Sequence, residues 1–397
     1  MPERHHIFLV PGFFGFANIG ELLYFSHVRT YLPQACAAQG IEAEVHAVQV
    51  HPTSSLRRRA EGLLEAMADA AGGDGAPIHV VGHSSGGLDA RLLVSPSVSL
   101  RGNIDVERFA RRVRSVVTIS APHYGTPVAS FFTSIFGQQL LGLLSLGTMY
   151  VLRFGRLPAS VVFKIGALLA RADDLVGLKN NVLDQLYGQL LADFSPERRV
   201  AVERFLGEVG SDQSLLPQLT PEGIDLFNAT ARDRPGVRYG SVVSYARRPG
   251  VLSTLSVGLD PYGQATHALY YGLSRIASTL PKDRVPELSE RQIDVLLGTY
   301  GIIPRRQDND GVVPTLSQVW GEMIHATRGD HLDVLGHFGD ASADPPHIDW
   351  LTTGSGFGRV QFEALWSDVA RFIAGRRPTV GRAPASAMSH LLHLFKR

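Results

Sequence analysis

The stretch Pro77–Val94, PIHVVGHSSGGLDARLLV, constrains the chain more than any other. Ile78, Val80 and Val81 are apolar and β-branched, the signature of a short buried strand. From Leu88 to Val94 the apolar residues take up helical spacing. Between them Gly82-His83-Ser84-Ser85-Gly86 turns strand into helix. Such a tight turn holds Ser84 in strained backbone geometry, and Gly82 and Gly86 leave room for strand and helix to approach. The Ser84 hydroxyl then stands exposed at the strand's end. The amides that follow it open a helix, where partial positive charge can stabilise an oxyanion. A chance glycine-serine turn would lack both neighbours.

The rest of the chain falls into place around this unit. Ile7–Val10 reads as a buried strand that runs into the glycine-bearing loop VPGFFGF. A helical stretch over about 19–38, interrupted by Pro33, leads to a strand at Ile41–Val50. Ser54 or Ser55 caps a helix with Leu56, Ala60, Leu63, Leu64 and Met67 on one face. After the serine unit, Arg114–Ser120 is another apolar strand, followed by APHYGTP. Strands alternating with helices imply a doubly wound, mostly parallel sheet with helices on both faces.

The pattern then changes. A helical insertion spans about 128–236, and its first part, over 130–170, is rich in Leu, Phe and Val with few charges. Strands return at Val237–Tyr245 and Glu322–Ala326, separated by a second mainly helical insertion over about 250–297. One domain over 1–376 is expected, then a linker and a short basic amphipathic tail over 377–397.

Composition narrows the classes of function. Charged residues make up 19% of the chain, against about 25% in ordinary globular domains, and hydrophobics 44%. A large apolar interior or an exposed apolar face follows. A net charge of +1 with mixed signs leaves no nucleic-acid footprint. Cys36 is the only cysteine, which excludes an intrachain disulfide and a multi-cysteine zinc site. No run reaches the ~18 apolar residues of a membrane span; the nearest, Leu140–Leu152, is short and ends at Arg153. The N-terminus runs almost directly into the first strand with no secretory leader, as in a cytoplasmic protein or a secreted one whose leader has been removed.

With VPGFFG, GHSSGG, SAPHYGTPVA, QDNDGVV and DHLD laid out in that order, the chain resembles the α/β-hydrolase superfamily, and within it the bacterial triacylglycerol lipases with a helical lid. Pro11 stands where these lipases often carry the histidine of a His-Gly pair. Acyl transfer by a serine needs a base and an acid that orients it. Ser84 is the nucleophile. Asp310, in an Asn-Asp-Gly turn after a strand, is the preferred acid, with Asp308 as rival; His331 is the preferred base, with His337 and His347 as rivals. His83 and His123 read as orienting or pocket residues, Phe14 and Phe16 as acyl-pocket wall or plain core. The backbone amides of Phe13 and Ser85 are expected to form the oxyanion hole.

The resemblance further implies a structural Ca²⁺ near the histidine loop, with Asp333 and Glu290 as ligands; no cofactor is needed for the chemistry. It implies a carboxylic-ester hydrolase acting on lipid esters, triacylglycerol foremost, at a lipid–water interface. The apolar insertion reads as a lid over the site, or else as a fixed cap. The competing readings are an intracellular esterase or acyl-chain hydrolase or transferase working on polyhydroxyalkanoate, phospholipid or thioester, and a non-catalytic lipid-binding protein.

Overall fold

A computed structural model describes residues 3–13, 24–154, 157–170, 181–250, 257, 260–343, 347 and 349–379. Phe14, Phe16 and the basic tail beyond residue 379 lie outside the described residues. Six strands are described: β1 (Glu3–Val10), β2 (Ile41–Ala47), β3 (Ile78–His83), β4 (Val113–Ile119), β5 (Arg238–Tyr245) and β6 (Glu322–Arg328). They form one sheet in the order β2-β1-β3-β4-β5-β6, and every neighbouring pair is parallel. The expected doubly wound parallel sheet is borne out.

Its strands are apolar on both faces because both faces are covered. Ile7, Leu9, Val81, Val117 and Ile119 pack against helices α1 (Ser26–Ala37) and α14 (Arg359–Ile373). Phe8, Val10, Val80 and Val116 point the other way, onto α2 (Leu56–Ala71) and α3 (Ser85–Val94). Ser55 caps α2, its hydroxyl accepting the amide of Arg58 at 3.3 Å. Pro33 lies inside α1 rather than interrupting it. The lost backbone bond is outweighed by Val28, Leu32 and Cys36, which are wholly buried beneath the helix. Trp366 of α14 is wholly buried too, and its indole N–H donates to the carbonyl of Val334 at 2.9 Å.

A short helix α4 (Val106–Ala110) precedes β4. Between β4 and β5 the described residues form helices only: α5 (Pro127–Phe132), α6 (Ile135–Phe154), α7 (Ala159–Ala170), α8 (Asn181–Ala192), α9 (Pro196–Ser211), α10 (Leu215–Leu219) and α11 (Gly223–Thr230). Leu140, Leu143 and Leu146 of α6, Ile165 of α7 and Leu186 of α8 belong to the same apolar core as the α2–α3 face. Between β5 and β6 lie α12 (Pro261–Ala277) and α13 (Glu290–Tyr300); α13 packs Val295, Leu296 and Tyr300 on the β5–β6 edge.

Candidate active site

The turn between β3 and α3 has the geometry its residues imply. Ser84 takes φ 53° and ψ −130°, one of only two positive-φ positions outside glycine among the described residues. A non-glycine residue held there stores roughly 1–3 kcal/mol of strain, tolerated where the surroundings over-determine it. The Ser84 amide is pinned to the carbonyl of Ile119 at 2.8 Å. The flanking glycines are required by space: a Cβ on Gly82 would lie 2.2 Å from the Gly86 carbonyl oxygen, and one on Gly86 2.3 Å from that of Val10. The loop after β1 crosses directly over the serine, since a Cβ on Gly12 would meet the Ser84 Cβ at 2.6 Å and its Oγ at 3.1 Å. Ser85 is the first residue of α3, so its N–H is one of the donors with no acceptor within the helix.

His331 Nδ1 lies 2.8 Å from Asp310 Oδ2. Asp310 is wholly buried, and its carboxylate accepts four more bonds: from Ser244 Oγ at 2.9 Å, Gln318 Nε2 at 3.1 Å, and the amides of Val312 and Val313 at 2.9 and 2.8 Å. The His331 amide in turn donates to the Asp310 carbonyl at 3.0 Å. A carboxylate held by so many donors is fixed in place. Asp308 is engaged elsewhere, by Arg248 and by the amide of Arg305. His337 stacks on Trp350 and reaches the Tyr24 carbonyl, while His347 stacks on His27 and reaches the Gly336 carbonyl. The chain brings Asp310 to His331 and leaves the three rivals with other partners.

His83 lies between the two loops that meet at the serine. Its Nε2 faces the His331 carbonyl at 2.8 Å and its Nδ1 the Tyr24 hydroxyl at 2.6 Å, and that hydroxyl also accepts the Gly12 amide at 3.2 Å. Burial first, then the His331 imidazole, push the His83 imidazole well below its ordinary range. His123 departs from its expected place. It is wholly buried, stacked on Trp320 and bonded to Arg91 and Thr118.

A further brace comes from Arg59 and Asp89, a wholly buried pair at 2.8 Å. Arg59 also donates to the carbonyls of Pro11, at 2.6 Å, and His51, at 3.0 Å, which fixes the loop carrying Phe13. Burial pushes the Asp89 carboxyl up to about 6 against the pull of Arg59. Tyr24, Ser244, Gln318 and Arg59 carry no local motif and were not apparent as site residues; only the buried polar side chains of the folded chain reveal them.

Two apolar cavities meet at His331, Leu332 and Val312. One, of about 40 Å³, is lined by Phe13, Ser84, Phe132, Leu216 and Leu219 among others. The other, of about 100 Å³, lies under the cap, with Leu144, Ile165, Leu269 and Leu273 in its wall.

The expected calcium ligands do not come together. Glu290 is exposed at the start of α13, whose first turn is tied to the beginning of β6 by Arg291 to Glu322 and Gln292 to the Gly321 carbonyl. Asp333 follows the other end of that strand, and seven residues at about 3.3 Å each separate them by roughly 20 Å. Glu290 is thereby corrected as a ligand. Asp333 instead adjoins two other buried acids, Asp330 and Asp349. Burial and their mutual repulsion push Asp330 well above the usual carboxylate range and Asp333 to about 7, while burial raises Asp349 to about 6. Asp330 Oδ2 is buried with no hydrogen-bond partner. Hard oxygens without a nearby cation fit a divalent ion such as Ca²⁺.

No family model matches the chain, and no curated protein sequence does. Solved structures do. EstA from Clostridium botulinum aligns with a TM-score of 0.52 and 20% identity, over 95% of this chain and 88% of that one. The lipase of Staphylococcus hyicus aligns with a TM-score of 0.52 and 15% identity, over 94% and 96%. At such identities the likeness concerns architecture: the chain has the α/β-hydrolase fold and resembles bacterial lipases and esterases in it.

Proposed function

We propose that this chain is a serine carboxylic-ester hydrolase acting on lipid esters, triacylglycerol foremost. The observation that carries this reading is the Asp310–His331 contact, made by a histidine that lines the same apolar cavity as Ser84. Ser84 Oγ attacks the ester carbonyl while His331 Nε2 takes its proton. Asp310 holds the imidazole by Nδ1 and stabilises the imidazolium as it forms. Charge gathering on the carbonyl oxygen is met by the amides of Phe13 and Ser85, each such donor contributing about 3–4 kcal/mol. His331 then protonates the departing alcohol, and water, activated by the same base, releases the acid and restores Ser84.

Two apolar cavities meeting at the base suit an ester with hydrocarbon on both sides of the scissile bond. Helices α6 and α7 act as a lid that opens at a lipid–water interface, a role supported by Phe154 and Phe163, which the cap leaves 43% and 47% exposed. Asp330 and Asp333 would hold Ca²⁺, which would neutralise their charge and steady the loop that presents His331.

The test is hydrolysis of p-nitrophenyl esters from short to long acyl chain, by wild type and Ser84→Ala, below and above the concentration at which the substrate forms an interface. Long-chain activity that jumps at the interface and vanishes in the variant is expected. Short-chain activity with no jump would leave an esterase under a fixed cap. Equal turnover by both proteins would remove the serine mechanism.

A further inference from the structure

The facing stretches of β1 and β2 around His6 and over Glu44–His46 carry polar side chains that ester hydrolysis does not use. In the parallel pairing His6 stands opposite Glu44 and Phe8 opposite His46. Phe8 belongs to the core of the α2 face, and residues two apart on a strand share a face, so all three polar side chains lie on that side of the sheet. Their ligand atoms converge. His6 Nδ1 lies 3.0 Å from His46 Nε2 and 3.9 Å from Glu44 Oε2, and His46 Nε2 lies 3.8 Å from Glu44 Oε1. Among the described residues, no other three His, Cys, Asp or Glu side chains bring ligand atoms so close together.

We propose that His6, Glu44 and His46 form a binding site for a divalent transition-metal ion of the zinc class. A tetrahedral zinc with bonds of about 2.0–2.1 Å holds its ligand atoms about 3.3–3.4 Å apart, and the triangle here brackets that size. Two imidazoles and a carboxylate match zinc, nickel or cobalt better than calcium or magnesium, which take oxygen alone.

The surroundings supply the support that a metal-bound histidine requires. His6 Nε2 faces Asp74 Oδ2 at 2.9 Å, and Asp74 is itself held by Arg112 at 2.8 Å and by the amide of Ala76 at 3.1 Å. A histidine that donates from Nε2 to a carboxylate presents the bare lone pair of Nδ1 to the other two ligands. This carboxylate–histidine pairing orients metal-bound imidazoles generally. The His46 ring is stacked on Phe8, with centroids 4.8 Å apart, which fixes its orientation toward His6. His6 is buried, while the Glu44 side chain is 39% exposed, so a fourth position opens to water or an outside ligand.

Such an ion would clamp β2, the edge strand of the sheet, to β1 and through Asp74 to the loop that follows α2. It would have a competitor in Arg4, an exposed residue whose guanidinium pairs with Glu44. Removing Arg4 therefore strengthens the site, whereas a merely structural ion-pair cluster would only lose a contact.

The experiment is titration of the chelator-treated full chain with zinc chloride, followed by calorimetry and by thermal unfolding, for wild type, His46→Gln, Glu44→Gln and Arg4→Gln. Both ligand positions are partly exposed, so these variants keep the core, which far-UV circular dichroism verifies. The expected result is that wild type binds one equivalent more than His46→Gln, that this equivalent raises its Tm by several degrees, that Glu44→Gln weakens it at least tenfold, and that Arg4→Gln tightens it. Calcium chloride should give no heat at this position. If wild type and His46→Gln bind the same number of zinc ions with the same affinities, or if neither binds any, the proposal is overturned. Short-chain ester hydrolysis by His46→Gln stays at the wild-type rate in either case, which separates this test from that of the catalytic residues.

Discussion

The Tyr24 hydroxyl donates to His83 Nδ1 across 2.6 Å. The direction follows from the partners: His83 Nε2 faces a carbonyl, that of His331, and must carry the single proton of a neutral ring, which leaves Nδ1 as acceptor. The Tyr24 oxygen then accepts from the Gly12 amide. One chain of bonds thus runs from the loop over the serine to the loop that carries the base. Tyr24→Phe deletes two of its links, and the net loss is about 1–2 kcal/mol. The expected outcome is a drop in kcat on the order of tenfold with KM little changed. Steady-state kinetics on a soluble short-chain ester check it, and an unchanged kcat would reduce Tyr24 to a packing residue.

Asp310 and Asp308 are two residues apart and are expected to behave oppositely. Asp310→Asn disturbs the histidine's tautomer and should cost about 10³–10⁴ in kcat while the protein remains folded. Asp308→Asn breaks the contact with Arg248 and should lower Tm with kcat kept within a few-fold. Reversal of the two phenotypes would reassign the acid.

Gly86→Ala places a methyl group 2.3 Å from the Val10 carbonyl oxygen and 2.7 Å from that of Pro11. Backbone must move, and the backbone that moves carries the Phe13 amide. The outcome expected is loss of Tm together with at least a tenfold loss of kcat. A variant with wild-type kinetics would show that the loop over the serine is not tightly positioned.

Two sets of buried groups set the acid stability of this protein in opposite directions. Burial, the leading cause in each case, holds His79 and His337 at about 3 and His83 and His123 well below the ordinary value. These rings stay neutral in the folded chain but ionise below about pH 6.5 once it unfolds, so the unfolded chain binds more protons there. Their stabilisation is present in full above pH 6.5 and is lost as pH falls, by about 2 kcal/mol per ring at pH 5. The buried acids Asp89, Asp330, Asp333 and Asp349, whose carboxyls burial pushes up, gain stability as they protonate over the same range and offset this loss. The urea midpoint should therefore fall steeply only below about pH 4, where those acids are protonated in both states. A midpoint that stays level there would mean these rings are protonated in the native state.

Added Ca²⁺ should raise Tm at pH 8, and Asp333→Asn should abolish the rise. Glu290→Gln should leave it intact, because Glu290 is tied to the far end of β6. Differential scanning calorimetry with and without millimolar calcium decides; a rise abolished by Glu290→Gln would restore the original pairing of ligands.

What the amino-acid sequence determines by itself is local and periodic. Consecutive apolar residues in Phe8–Val10 and in Val116–Val117 mark strands covered on both faces. Gly82 and Gly86 mark a turn in which no side chain fits, and Asn309-Asp310-Gly311 marks a turn at the end of an extended segment. The order of these signals along the chain sufficed for the parallel sheet and for the candidates Ser84, Asp310 and His331. Tertiary structure alone decided the rest, because it concerns groups distant in the chain and without a repeating pattern. Tyr24 meets His83 across 59 positions, and His83 meets the His331 carbonyl across 248. Glu290 and Asp333 lie by opposite ends of one strand, since a strand between two residues separates them by its own length. His6 and His46 are far apart in number yet share a face, because parallel pairing sets Phe8 opposite His46. Hydrophobic period records which way each residue faces; only strand register and loop closure decide which polar groups face one another.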